Sequence, residues 1–262
     1  MSQREWDGAS YDRISGPMAA MGLEVLARLQ LNGDEVVIDA GCGSGRITEA
    51  LAERLPRGCV IALDASPSMI EAARERLGDL VEPSSNGAGA GARVELRVED
   101  LLELRCEEPV DAVFSTATFH WIADHDLLFS RLRAALKPGG RLLAQCGGEG
   151  NITQLRGRIV PITREAPFAE HFEGFEPPWN YAGPQQTRER LLRAGFAEAR
   201  CWLKEAPQTP DDAREFLSTI VLGPHVQQLP AELRERFMDE VLALLPRPVT
   251  VDYVRLNIDA IA

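Results

Sequence analysis

Short runs of Val, Ile and Leu alternate with longer amphipathic stretches between residues 35 and 146. The short runs have the length and the β-branched content of buried strands, and the stretches between them repeat apolar residues at helical spacing. The predicted strands are 35–40, 59–64, 93–98, 110–115 and 141–146. Strands and helices that alternate over short connections form a mostly parallel sheet covered on both faces. We therefore expect an α/β fold with a doubly wound sheet.

The C-terminal half departs from this alternation. Two further strands, at 197–206 and 249–261, would complete a seven-stranded sheet, and the helical patterns after residue 148 predict a helical cap over its open edge. Small residues at 82–92 predict a surface loop, because the alternation resumes after them. We expect a single domain, 1–262. Its predicted parts are an N-terminal helical segment at 1–33, a core at 34–147, and the cap helices with the last two strands at 148–262.

The composition limits the partners of the chain. Its formal net charge of −12 disfavours a nucleic-acid partner, since duplex binding depends on clustered Lys and Arg. The 5 cysteines are scattered and the 4 histidines form no HxxxH or HExxH pair, so no metal site is expected. No apolar run approaches the roughly 20 residues that span a bilayer, and the polar N-terminus lacks a signal-peptide core. The sequence therefore predicts reduced thiols, no membrane partner and a cytoplasmic location.

A glycine-rich segment, VVIDAGCGSGRIT, follows the first predicted strand and places Asp39 ahead of Gly41, Gly43 and Gly45. The dinucleotide fingerprint G-x-G-x-x-G would need a third glycine where Arg46 stands. A carboxylate at the mouth of such a loop would also repel a pyrophosphate. It would attract a cationic ligand, whose approach to the backbone the glycines permit. S-adenosylmethionine, which carries an ammonium and a sulfonium, has the required charge.

Five segments in chain order resemble the motifs of the class I S-adenosylmethionine-dependent methyltransferases. They are VIDAGCGSG, VIALD, VEDLLEL, VDAVFSTATFHWI and ALKPGGRLLAQ. The resemblance implies a Rossmann-like fold, makes 34–147 the cofactor-binding core, and implies S-adenosyl-L-methionine as the cofactor.

The same resemblance implies roles for individual residues. Asp64, at the end of the second strand, would hold the ribose hydroxyls through a charge-assisted pair, although a nicotinamide-binding fold would place an acid there too. Asp100 would accept from the adenine amine, and Leu101 would donate its backbone N–H to the ring. The implied cofactor-binding residues are Tyr11, Asp39, Gly41, Cys42, Gly43, Gly45, Asp64, Ala65, Met69, Glu99, Asp100, Leu101 and Ser115.

The segment FHWI at 119–122 and the opening EWDGASYDRISGP resemble small-molecule carboxyl methyltransferases, chiefly the trans-aconitate methyltransferase-like group. The resemblance implies a small organic acceptor that is methylated at a carboxylate oxygen. The chemistry is consistent, because a carboxylate has a pKa near 4, is ionised at neutral pH and needs no general base. Methyl transfer then depends on in-line alignment and on the exclusion of water, which an aromatic wall would favour.

The residues expected to contact this acceptor are Phe119, His120, Trp121, Trp179 and Tyr181. His120 is the candidate catalytic residue, either as a hydrogen-bond donor that positions the acceptor or as a base if the acceptor is a hydroxyl; it could also be a histidine packed at the strand end. Tyr11 would cover the cofactor or anchor a loop. His125 is expected in an exposed first helical turn. The candidate cations for the acceptor's carboxylates, each otherwise a surface charge, are Arg13, Arg156, Arg158 and Arg164.

Three alternatives to carboxyl methylation stay open at this point. The chain could methylate a secondary metabolite at oxygen, nitrogen or carbon, with a phenol as an example that requires a base. It could be a nicotinamide oxidoreductase, which Asp39 and Arg46 disfavour. It could also bind S-adenosylmethionine without catalysing a reaction.

Overall fold

The computed structural model describes residues 16–81 and 94–262. Its strands are β1 (Val36–Ala40), β2 (Cys59–Asp64), β3 (Val94–Val98), β4 (Val110–Thr116), β5 (Leu136–Gly147), β6 (Glu198–Glu205) and β7 (Val254–Ile261). Its α-helices are α1 (Gly16–Leu26), α2 (Arg46–Glu53), α3 (Pro67–Leu77), α4 (His125–Ala135), α5 (Thr153–Ile162), α6 (Pro184–Arg193), α7 (Ala213–Phe216), α8 (Gly223–Gln228) and α9 (Ala231–Leu244).

The strands form one sheet in the order β3-β2-β1-β4-β5-β7-β6. β7 runs antiparallel to both of its neighbours, and the other pairs are parallel. The predicted seven-stranded, mostly parallel, doubly wound sheet is therefore confirmed. In such a sheet the strand order reverses beside β1, and ligands bind outside the carboxyl ends of the strands near that point.

Each face of the sheet carries its own hydrophobic cluster, as the alternation of side chains along a strand requires. On one face, Val37 and Phe114 pack with residues of α1, α2 and α3. On the other face, Ile38 and Val113 pack with residues of α4 and α6, among them Leu128. The sheet is thus buried on both sides, which explains why its central strands read as nearly continuous apolar runs.

A third cluster joins the helices of the C-terminal half to α1. It includes Phe168, Phe216 and Phe237, and it takes in Met18 from α1. The cap helices α5, α7, α8 and α9 share this apolar interior, so the cap has a core separate from that of the sheet. The division of the chain at 1–33, 34–147 and 148–262 remains a prediction.

The boundary between α4 and β5 differs from the prediction. α4 ends at Ala135 and β5 begins at Leu136, before Pro138 and Gly139, whereas the sequence predicted a strand only from 141. The register of β5 against β4 shifts between Val110 and Ala112 of β4. This irregularity accommodates Pro138 and Gly139 within β5. Residues typical of a helix stop therefore lie inside a strand.

Within the described ranges, no helix is both long enough and apolar enough to cross a bilayer.

Gly41 shows why the segment after β1 needs glycine. Its φ is +80°, in the left-handed region, and a Cβ there would lie 2.7 Å from the Cβ of Thr118. Gly45 also has a positive φ and lies against Ala73 of α3, where a Cβ would come within 3.1 Å of the Ala73 Cβ. A side chain at Gly43, by contrast, would meet no atom within 4 Å. Two of the three glycines are required by close packing, and the third faces open space.

The Gly41→Ala variant should be destabilised by about 2–4 kcal/mol, because it combines a left-handed backbone with an overpacked contact. Urea unfolding measures this change. Gly157→Ala is the matched control, since Gly157 lies in α5 with no neighbour within 4 Å of its Cβ position. The control should gain about 0.5–1 kcal/mol from helix propensity. A Gly41→Ala variant as stable as the parent would contradict this packing argument.

Candidate active site

Two cavities lie side by side at the carboxyl ends of β1, β4 and β5. The first, the glycine-loop cavity, has about 490 Å³ of space including solvent at its mouth and is lined by Asp39, Gly41, Cys42, Gly43, Ser44, Arg46, Ile47, Thr116 and Ala19. The second, the aromatic cavity, has about 430 Å³ on the same basis and is lined by His120, Trp121, Asn151, Trp179, Tyr181, Ile220, Val221, Tyr253 and Arg255. Met18 and Ala117 line both cavities. A molecule bound in one cavity would therefore meet a molecule bound in the other.

Asp39 supplies a buried carboxyl group to the glycine-loop cavity. Its side chain is 2% exposed and accepts a hydrogen bond of 2.7 Å from the Thr48 hydroxyl. No cation among the described residues forms an ion pair with it. Burial and the nearby Asp64 raise the pKa of Asp39 to about 7, against the Thr48 hydrogen bond, which lowers it. The glycine-loop cavity thus holds a buried carboxyl group that forms no ion pair with a described residue, and Arg46 also lines this cavity.

Asp64 ties the ends of β1 and β2 together. Its two carboxylate oxygens accept from the backbone N–H groups of Gly43, at 3.0 Å, and Ser66, at 2.9 Å. Burial raises the pKa of Asp64 above its usual value, and the two backbone hydrogen bonds oppose that change. The carboxylate is consequently held at the edge of the glycine segment, beside the N-terminus of α3 that Ser66 caps.

The remaining predicted cofactor residues follow β2 and β3, except for Tyr11 and Ser115. The backbone N–H of Glu99 donates to the Asp64 carbonyl at 3.0 Å, so the ends of β2 and β3 are joined. Leu101 and Met69 are buried, Ala65 is half-buried, and an Asp100 oxygen accepts from the Leu102 N–H.

The two cavities are lined by none of eight predicted cofactor residues that the structure describes: Gly45, Asp64, Ala65, Met69, Glu99, Asp100, Leu101 and Ser115. Ser115 is sealed in the sheet, where its hydroxyl donates to the Ala40 carbonyl at 2.6 Å. It lines neither cavity. Tyr11 lies outside the described residues.

The aromatic cavity has a wall of stacked rings. Tyr181 stacks on His120 with 5.8 Å between ring centroids and on Trp179 with 5.7 Å. Trp121 lies 5.1 Å from the His120 ring and 6.5 Å from Trp179. These are four of the five residues predicted to contact the acceptor, and the structure places them around one cavity.

Phe119, the fifth residue predicted to contact the acceptor, points into the core and not into the aromatic cavity. It is 1% exposed and packs edge-on against Phe129 at 6.1 Å, in the core beneath the sheet. His125 lies in the first turn of α4, as expected, but it is buried instead of exposed: it is 2% exposed, and its Nε2 lies 2.9 Å from the Phe119 carbonyl. The short 3₁₀ turn Phe119–Trp121 causes both differences, because it turns Phe119 inward and leaves its carbonyl above α4.

His120 is neutral in this environment. Burial, with Arg255 and His125 nearby, lowers its pKa to about 3. Its Nδ1 accepts from the backbone N–H of Gly147 at 3.4 Å, so the neutral ring carries its proton on Nε2. No described residue hydrogen-bonds Nε2. The ring therefore offers a donor to the cavity and lacks a free basic nitrogen.

Arg255 is the functional candidate that the sequence analysis missed. It lies on β7, pairs with Gly147 of β5 and is 4% exposed. Its Nη2 is 3.0 Å from the Met18 sulfur, its guanidinium covers the Tyr253 ring at 4.4 Å, and its Nε has no partner. No acid in the described ranges pairs with it. The strand VRLNIDAI also contains Asn257 and Asp259, so Arg255 does not stand out in the sequence.

The arginines proposed from sequence lie elsewhere. Arg156 is exposed and covers the Trp179 ring at 5.7 Å, outside the cavity lining. Arg158 and Arg164 are exposed, and Arg158 donates to the Leu244 carbonyl. Arg13 lies outside the described residues. Among the described residues there is also no group of three or more metal-ligating side chains.

Comparisons with known proteins identify the family of this chain. A family model described as a methyltransferase domain matches residues 37–140. A trans-aconitate 2-methyltransferase of Variovorax paradoxus is 31% identical over 96% of this chain and 94% of its own length. One of Methylobacterium nodulans is 29% identical over 92% and 89%.

Solved structures share the fold. A phosphoethanolamine N-methyltransferase 2 of Haemonchus contortus matches with a TM-score of 0.62 at 22% identity over 97% of this chain. The match covers 56% of that protein, so this chain spans little more than half of its length. YcgJ of Bacillus subtilis matches with a TM-score of 0.62 at 16% identity over 92% of this chain and 97% of its own.

The fold and the family match define a class I S-adenosylmethionine-dependent methyltransferase. Within that class, the chain belongs to the trans-aconitate methyltransferase-like group. The enzyme class and the cofactor expected from the sequence are thereby confirmed.

The raised pKa of Asp39 has a consequence for stability. Because the folded-state value of about 7 exceeds the ordinary value of 3.8, the folded protein binds a proton that the unfolded chain has already lost between these pH values. The contribution of Asp39 to the free energy of unfolding of the cofactor-free protein should therefore fall as pH rises through this window. Asp39→Asn should remove that decline and, at pH 8, gain on the order of a few kcal/mol over the parent.

Chemical unfolding at a series of pH values measures this difference. Asp34→Asn, at an exposed position just before β1, is the control and should keep the slope of the parent. Identical pH slopes for the parent and Asp39→Asn would contradict the assignment.

Proposed function

We propose that this enzyme methylates a carboxylate of a small organic acid and releases a methyl ester. The observation that carries the proposal is Arg255, a buried guanidinium without an acid partner among the described residues, in a cavity that adjoins the glycine loop. An isolated buried charge is costly, and a carboxylate from the acceptor would offset that cost with paired hydrogen bonds. The trans-aconitate 2-methyltransferase relatives have a name that agrees with a carboxylate acceptor.

The glycine-loop cavity fits the cofactor in its charge. An ammonium group would supply the opposite charge that Asp39 lacks, and the open space at Gly43 would admit it. Asp64 would hold the ribose, with Asp100 and Leu101 at the adenine. When bound, S-adenosyl-L-methionine supplies a methyl group on a positively charged sulfur.

The polar groups of the aromatic cavity suit an anion. Arg255, the Nε2–H of His120 and the indole N–H of Trp179 can only donate, and the hydroxyl groups of Tyr181 and Tyr253 can donate as well as accept. Asn151 is buried, with its carbonyl oxygen occupied by the Val254 N–H at 2.9 Å. No Asp or Glu is among the described residues that line this cavity. The lining therefore matches the acceptor-rich surface of a carboxylate.

A general base has no place in this proposal. The acceptor arrives ionised, and the neutral His120 offers an N–H that positions it. Methyl transfer would form a C–O bond as the C–S bond of the sulfonium breaks. Because both charges would be neutralised, an apolar aromatic wall would favour the reaction. Arg255 orients the carboxylate at Met18, where the two cavities meet. A phenol would need the base that the site lacks.

The proposal includes a small-molecule partner and a cytoplasmic location. A cavity lined on several sides by aromatic rings suits a small acceptor better than a protein or nucleic-acid chain. The five cysteines are free, in agreement with a reducing compartment.

The direct test uses methyl-labelled S-adenosylmethionine with a panel of carboxylic acids and phenols. Label should appear on an acid and be released as methanol in mild alkali, because esters hydrolyse there. Alkali-stable label on a phenol, with none on the acids, would overturn the proposal. Cofactor binding without labelling of any panel member would favour a non-catalytic binding protein.

Replacement of Arg255 separates function from stability. Arg255→Met should lower kcat/KM for the acid by about 10²–10³-fold, since it removes the only described cation in the cavity lining. The free energy of unfolding should stay the same or rise, because an unpaired buried charge is lost. Arg164→Met, at an exposed arginine, is the matched control and should leave both quantities unchanged. A parallel loss of stability and activity would assign Arg255 a structural role.

His120→Gln tests the positioning role of the histidine. Glutamine keeps a donor but cannot act as a base, so kcat should fall by about tenfold or less, where loss of a general base costs about 10²–10⁴-fold. At saturating cofactor, the parent's kcat/KM for the acid should be flat between about pH 6 and 8, since His120 stays neutral there. A pH profile that rises with a pKa near 6.5 in the parent, and does not rise in His120→Gln, would assign His120 the role of general base.

A further inference from the structure

Among its described lining residues, the aromatic cavity has one positively charged group. Arg255 is the single Lys or Arg among the described lining residues, and the rest of the lining is aromatic, aliphatic or neutral polar. Trp121, Trp179, Tyr181 and Tyr253 contribute rings. A site of this composition can neutralise one carboxylate, and any further carboxylate buried beside it would have no counter-charge.

The cap contributes the apolar part of the lining. Ile220 and Val221 come from the π-helical turn Leu217–Val221, in which the Leu222 N–H donates to the Leu217 carbonyl at 2.6 Å. Such wide turns occur often at functional sites. Both side chains are hydrocarbon, so this wall offers no partner to a polar substituent of the acceptor.

Arg156 does not supply a second buried cation. It is exposed, covers the Trp179 ring at 5.7 Å and lies outside the lining. Its guanidinium can attract anions toward the cavity, but it keeps its contact with water. The cavity and its rim therefore present one buried guanidinium and one solvated one.

We propose that the acceptor is a monocarboxylate with an aromatic body, such as an aryl-alkanoic acid, and that polycarboxylates are poor acceptors. The inference rests on the proposed function and narrows its substrate class. The carboxylate pairs with Arg255 beside Met18, and the ring of the acceptor packs among Trp121, Trp179 and Ile220. The trans-aconitate of the relatives' name carries three carboxylates, two more than the described lining residues of this cavity can neutralise.

The test compares kcat/KM of the full chain, with methyl-labelled cofactor, for 3-phenylpropanoate, hexanoate, trans-aconitate and the phenol p-cresol. The inference predicts that kcat/KM for 3-phenylpropanoate exceeds that for trans-aconitate by at least about tenfold, because unpaired buried charge is costly. It also predicts a lower value for hexanoate, which lacks the ring. A trans-aconitate value equal to or above that for 3-phenylpropanoate overturns the inference and leaves carboxyl methylation standing. Label on p-cresol alone, or on none of the acids, overturns both.

The second test adds a positive charge to the apolar part of the lining that the cap contributes. Ile220→Arg should bring a cation to the lining and shift the ratio of kcat/KM values toward trans-aconitate by about tenfold. Leu244→Arg adds the same charge at an exposed position on α9 and should leave the ratio unchanged. Equal shifts in the two variants would mean that net charge alone changes the preference, which contradicts a specificity role for the wall.

Discussion

The cost of burying a charge without a partner governs this site. Asp39 and Arg255 are each less than 5% exposed, and neither forms an ion pair within the described parts of the chain. A folded chain retains such groups at the expense of stability, since hydrophobic replacements of similar size would remove the cost. They lie in adjoining cavities that share Met18 and Ala117. A cationic cofactor and an anionic acceptor, bound side by side, would neutralise both groups.

The sheet topology brings the two charges to one edge. Asp39 comes from the carboxyl end of the parallel strand β1, whereas Arg255 comes from the start of β7, which runs in the opposite direction. Gly147, at the end of β5, pairs with Arg255 and donates to His120. A Cβ on Gly147 would lie 2.7 Å from the Tyr181 ring. One glycine thus permits the histidine, the tyrosine and the arginine to converge.

The sequence predicted those parts of the structure that depend on local patterns. β2 has the predicted bounds, because the pattern that predicts a strand depends on only a few neighbouring residues. Phe119 and His125 were misplaced, since a 3₁₀ turn decides which side chain faces inward and leaves no periodic signal. Arg255 was missed for a different reason. Its importance lies in the absence of an acid partner, a property of the tertiary structure that no short stretch of sequence contains.

A ternary structure with S-adenosylhomocysteine and an aryl-alkanoic acid would test the central claim most directly. The account predicts that the carboxylate lies within hydrogen-bond distance of the Arg255 guanidinium, with one oxygen directed past Ala117 toward the cofactor sulfur. The Asp39 carboxylate should face the ammonium group. A carboxylate bound at Arg156 on the surface, with Arg255 left unpaired, would contradict the account.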